Sequence, residues 1–429
     1  MENKKTMGYW SVVSIGIGGM VGGGIFAVLG LAVNLSHGGV PIAFAIAGLV
    51  ALVTAYSYSK LSVTFPSSGG TVEFLNQGLG TGILTGGLNI LLWMSYVVML
   101  SLYSYAFGSY GATFFPENDQ TFWRHILTSA VIISFTLLNF LSAKVVGRSE
   151  EVIVVIKILI LVTFVAVGLW SVQFEKFEIS TWSEPLTLIA GGMIIFLAYE
   201  GFELIANTAG DVKNPKKTLP RAFYTAVLFV MGLYIMVSIV TLGNLSVDKI
   251  VDSRDFALAE SAKPFLGHIG FIIIAIAALL STGSAINATL YGASRISYII
   301  AKTGELPKQL ERKIWNRPIE GLIITSVFTL LVANLFDLTS IAIMGSAGFL
   351  LIFAAVNFVN FRLHKKTHSR RWISLMGCIG CIIALGVLIW ESKLTSSENI
   401  WIFVMMVVTA FVIEIVYRKI ANRRHKCHF

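Results

Sequence analysis

Charge is what this sequence has least of. Asp, Glu, Lys and Arg together make up 13% of its 429 residues, against roughly 25% in a water-soluble domain. Hydrophobic residues make up 55% and the mean hydropathy is +0.78, which excludes water as the main solvent. Cysteine is scarce too, with three residues, so no disulfide framework is implied. Cys378 and Cys381 form a C-x-x-C, but inside the apolar run 372–390 and beside no βαβ pattern. They read as packing thiols rather than a redox or metal pair, and Cys427 stands alone in a basic tail. None of the nine prolines falls in the middle of an apolar run. There is no H-E-x-x-H, and the seven histidines sit in loops, tails or run ends, so neither a metal site nor a membrane-embedded metalloenzyme is expected. The loops are too short for a sensor's soluble effector domain. No cleavable signal is evident, because 1–7 leads directly into a long apolar stretch.

What remains is a succession of apolar stretches. A membrane-spanning helix needs about 20 such residues. Twelve candidates lie at about 9–34, 40–64, 80–113, 124–143, 151–172, 186–208, 220–245, 267–298, 320–336, 339–362, 372–391 and 399–418. All must be helical, because lipid offers the backbone no hydrogen-bond partner. The third and eighth exceed the bilayer and must tilt or project. The expectation is an all-α membrane protein of 12 transmembrane helices in one domain, 1–429. With the amino terminus inside, 25 of the 32 Lys and Arg fall on one side, six on the other, and Lys157 within a span. This asymmetry puts both termini on the cytoplasmic side. It also accounts for the net charge of +9 without nucleic acid, since no basic patch interleaves with exposed aromatics.

Two spans carry interruptions. The first holds six glycines within 16–24, each costing a helix about 1 kcal/mol relative to alanine. Local unwinding would free amides and carbonyls toward a protein-lined cavity. The bland alternative is close helix packing through Gly18-x-x-x-Gly22 and Gly19-x-x-x-Gly23. A dinucleotide loop is a poor alternative because no strand precedes it. The sixth span contains Glu200 and Glu203 around Gly201, a place to break. Carboxylates at membrane depth usually face a cavity or a partner, although Glu203 near a span end is also readable as simply hydrated. The interruptions are five spans apart. That spacing suggests inverted repeats over about 9–172 and 186–362, with 372–418 added, and a midplane site where the broken segments meet. Lys157 lies six residues past Glu151 inside the fifth span. It either snorkels to the surface or is a buried amine able to exchange a proton. The eighth span offers Ser281, Thr282, Ser284 and Asn287 as ion or lysine partners, or as small packing residues.

Together these motifs resemble the amino acid–polyamine–organocation (APC) superfamily. The resemblance rests on Gly22-Gly23-Gly24-Ile25-Phe26, on 198–203 followed by 211–217 and 220–222, and on 287–295 leading to 302–307. Within it the chain looks like the proton-coupled, broad-specificity ApcT-type amino-acid transporters, also at 311–315 and 320–323. The resemblance implies a LeuT-type fold of five-plus-five inverted repeats with discontinuous helices 1 and 6. It implies an amino-acid substrate whose carboxylate lies near the amides of Gly22, Gly23 and Gly24. The substrate ammonium would lie near the carbonyls of Met20, Leu197 and Glu200, with Ala198 beside them. Lys157, near Gly18 and Ser281, matches a lysine standing where sodium sits in sodium-coupled relatives. The coupling ion would therefore be the proton, with no sodium, no cofactor and no obligate protein partner. Gating falls to Phe196 and Glu203, Phe196 lying one residue before the position where many relatives carry an aromatic gate. Glu200 stands where close relatives often have an uncharged residue, which suggests a cationic substrate or a side chain turned away. The resemblance thus implies a secondary transporter in the cytoplasmic membrane, by proton symport or by exchange.

Overall fold

A computed structural model describes residues 6–141, 146–302, 319–395 and 397–421. The expected motif segments 303–307 and 311–315, and Cys427, lie outside the described residues. Among those described, helices dominate, and the only β-type pairings are isolated bridges, Met7 with Val212 and His37 with Trp182.

Among the described residues, ten helices are long and apolar enough to cross a membrane, and a bent pair, Tyr9–Met20 and Gly24–Ser36, makes an eleventh. The expected ninth span is a shorter apolar helix, Ile319–Leu335. The third and eighth spans are long as expected, at 30 residues for Ile83–Ala112 and 40 for Lys263–Lys302. The eighth is kinked at Gly267, whose φ of 64° lies where a side chain would strain the backbone. The nine-residue helix Thr71–Leu79 falls between expected spans. It carries too few apolar residues to signal a crossing.

The spans sort by burial. The third, sixth and tenth are 83%, 89% and 83% buried over their apolar windows, whereas the fourth, eleventh and twelfth reach only 17%, 28% and 22%. Both groups are similarly apolar, because lipid and protein interior demand the same surface. The core is therefore built on the first, third, sixth and tenth spans, with the others presenting faces to lipid.

The two expected interruptions differ in kind. The first span breaks at 21–23, and its halves are bent by 45°. The sixth does not break at Gly201. Its α-helical part, Pro185–Ile194, passes without a gap into 3-10 geometry over Ile195–Asp211, a run far longer than the three or four residues usual for that geometry. Gly201 instead packs. A Cβ there would collide with the backbone of Gly19 and Met20, and one on Gly19 would meet Gly201 O at 2.8 Å. The two spans cross backbone to backbone, which only glycine at both positions permits.

Candidate functional site

The break in the first span leaves the last carbonyls of its first half without intrahelical partners. Four consecutive carbonyls each receive a side-chain donor from a different span. Lys157 Nζ of the fifth donates to Gly18 O at 3.0 Å. Tyr103 OH of the third donates to Gly19 O at 3.4 Å. Tyr234 OH of the seventh donates to Met20 O at 2.6 Å, and Ser281 Oγ of the eighth to Val21 O at 2.6 Å. Tyr234 also reaches Ala198 O at 3.3 Å, tying the two interrupted spans together. Lys157 is 1% exposed, so it does not snorkel. Its ammonium sits at the negative end of a half-helix dipole, the favourable end for a cation.

The second half of the span starts at Gly24, packed so closely on the sixth span that an added Cβ would meet Ala198 Cα at 2.6 Å. Gly22 faces Ala285 and Gly23 faces the Tyr103 ring. Met20, Gly22, Gly23, Gly24, Leu197, Ala198 and Glu200 are all buried. The structure therefore brings the expected substrate residues together and holds them closed.

In 3-10 geometry residues three apart eclipse, so Leu197, Glu200 and Glu203 share one ridge and Phe196, Tyr199 and Phe202 another. Ser346 of the tenth span caps the transition by accepting from Leu197 N at 3.2 Å and donating to Ile194 O at 2.8 Å. Leu197 packs on Gly345. Phe196 turns to the tenth span, edge-on to Phe353 at 5.8 Å. Glu203, 1% exposed, is not a hydrated end residue. It accepts from Tyr58 OH at 3.0 Å and Thr71 Oγ1 at 3.1 Å, and from Tyr96 OH. Glu200 is 3% exposed, and its Oε1 has no hydrogen-bond partner among the described residues.

Sequence reasoning singled out Gly18, Lys157, Ser281, Glu200 and Glu203, all of them buried. It missed Tyr103, Tyr234, Ser346 and the hydroxyl cage around Glu203. The available signal was a tyrosine inside an apolar run, whose hydroxyl needs a partner when buried.

The opposite end of the molecule is latched. Asp255, between the seventh and eighth spans, lies 3.7 Å from Arg124 and 3.6 Å from Arg254. Tyr105 donates to Asp255 at 3.3 Å and accepts from Arg124 at 2.8 Å. Burial pushes the Asp255 carboxyl above its usual value, with Arg254 and Arg124 opposing. The backbone of Arg254 rests against Gly30 of the first span, so the latch closes over the second half-helix.

Sequence comparison places residues 7–412 in a match to the amino acid permease family. An uncharacterised protein of Methanocaldococcus jannaschii is 36% identical, covering 99% of this chain and 97% of that protein. The inner membrane transport protein YbaT of Escherichia coli is 36% identical over 97% of each. The serine/threonine exchanger SteT of Bacillus subtilis is 25% identical over 71% of this chain and 70% of its own length.

Proposed function

The chain belongs to the amino acid permease family and is a multi-pass membrane transporter, and from that premise we propose that it moves amino acids across the cytoplasmic membrane by sodium-independent, proton-coupled alternating access. The carrying observation is Lys157, a buried amine donating to Gly18 O at the break of the first span. Charged, it pins the half-helix end to the fifth span, in the place where a bound cation would do so. Proton loss removes the charge and loosens that tie, so one conformation is favoured with the proton and the other without it. A substrate biases the exchange only through different affinity for the two states. The substrate site is the closed junction of Met20, Gly22, Gly23, Gly24, Leu197, Ala198 and Glu200. Its fold is read as five-plus-five inverted repeats of twelve helices, with both termini cytoplasmic.

A second reading concerns substrate charge. The buried Glu200 has one oxygen, Oε1, without a hydrogen-bond partner among the described residues and lies beside Glu203, so a cation reaching Oε1 would offset two neighbouring carboxyls. A cationic amino acid or polyamine satisfies it. Exchange, as the name of the Bacillus subtilis relative describes for that protein, is the alternative mode.

Uptake of a radiolabelled panel of neutral and cationic amino acids and a polyamine into proteoliposomes tests both readings. Saturable uptake of amino acids is expected. If Glu200 selects cations, Glu200→Gln lowers lysine uptake about tenfold or more and spares alanine. Uptake of no amino acid by the wild type overturns the transport reading.

A further inference from the structure

The central junction is closed, yet beneath it lies a cavity of about 370 Å³, within the range of small-ligand sites. Its lining runs from buried Gly18 to exposed Ser68 and Arg295. One wall is a single face of the eighth span, Ala285, Ala288, Thr289, Gly292 and Arg295, at the i, i+3, i+4, i+7 spacing of a helix stripe. This is the run 287–295, whose role beyond the resemblance was open. Leu204 and Asn207 of the sixth span and Ser14 of the first face it.

Its electrostatics are one-sided. Arg295 is the one charged side chain among the described residues lining the cavity, and its guanidinium lies 5.6 Å from the centroid of the Tyr291 ring. No acidic side chain lines it among the described residues. A Cβ added at Gly292 would meet nothing within 4 Å, so that helix face opens on empty space. A small anion in the cavity meets hydroxyls, an amide and one guanidinium suited to bidentate carboxylate binding.

We propose that this cavity is a second, cytoplasmic subsite that holds the amino acid by its α-carboxylate on Arg295 after it leaves the central junction. The proposal rests on the transport reading above. Its specificity is for the carboxylate common to amino acids, which fits a release site.

Cysteine protection tests it. Gly292→Cys is introduced into the full chain with Cys378, Cys381 and Cys427 replaced by alanine, and labelled with a maleimide in detergent. L-alanine, L-serine and L-lysine serve as protectants, with potassium acetate and phosphate at matched ionic strength as anion arms. The amino acids should slow labelling, and Arg295→Gln should raise the protecting concentration about tenfold or more, while Arg295→Lys, which keeps the charge but not the planar fork, should restore only part of the effect. An unchanged rate without ligand shows that each variant is folded. Protection that persists in Arg295→Gln would mean that ligand merely closes the cavity by a conformational change, and would overturn the subsite. So would equal protection by phosphate, which marks a general anion or headgroup site; acetate, which carries the carboxylate alone, should protect at higher concentration. No protection, in a protein whose proteoliposomes take up the same amino acids, overturns the subsite alone. A wild type that transports none of them overturns the transport reading and the subsite with it.

Discussion

At the residue scale the central feature is the row of carbonyls from Gly18 to Val21, each with one donor from a different span. Hydrogen bonds between membrane helices contribute roughly 0.6 kcal/mol on average and up to about 1.7. Tyr234→Phe and Ser281→Ala, which remove bonds of 2.6 Å, should each lower stability toward the upper end of that range. Tyr103→Phe, removing a bond of 3.4 Å, should cost less. Denaturant titration in bicelles ranks the three, and an equal cost for Tyr103→Phe would show that the row is not what holds the break. Lys157, Glu200 and Glu203 were legible in the sequence because an ionisable group is conspicuous in an apolar run. Tyr103, Tyr234 and Ser346 were not, because tyrosine and serine are common in spans. Their roles depend on which carbonyls the fold leaves free.

At the element scale the break of the first span was legible from its glycines, since six so close together cost a helix more than packing alone requires. In the sixth span the α-helix ends at Ile194 rather than at Gly201, where the sequence put its interruption. Its change to 3-10 geometry at Ile195 carries no glycine signature, and Gly201 is a crossing point rather than a hinge. Replacing Gly19 or Gly201 by leucine should abolish folded protein, because the obstacle is backbone that cannot rotate aside. Gly232→Leu, on the seventh span with open space around its Cβ position, should leave monodisperse protein. Size-exclusion profiles compare them directly. The Asp255 latch titrates in a definite sense. Asp255 binds its proton more tightly when buried in the closed latch than when hydrated in an open one. The closed form is therefore favoured as pH falls from the raised value toward about 4, the usual carboxylate value. Spin labels at Thr121→Cys and Val251→Cys should report a shift toward the short distance as pH drops from about 7 to about 5. Asp255→Asn should abolish the shift, and a shift to longer distances would reverse the assignment.

At the scale of the whole molecule, the membrane character and most spans followed from hydropathy alone, because lipid permits so few backbone structures. The layering did not. The fourth and third spans differ by 17% against 83% buried, yet both read as apolar, because hydropathy cannot tell a lipid neighbour from a protein one. Nor did the sequence disclose that a cavity lies beside the closed central junction, which depends on how four spans meet. A latched end, a closed junction and an accessible cavity toward the other end are the arrangement that the proposed alternating access requires of one of its states. The most direct test of the proton-coupled account is uptake of a transported amino acid into sodium-free proteoliposomes, with and without an inward proton gradient, for the wild type and Lys157→Ala. The account predicts accumulation above equilibrium that needs the gradient and vanishes in Lys157→Ala, which still binds the amino acid. Uptake that ignores the gradient but requires amino acid preloaded inside would contradict it and make the protein an exchanger.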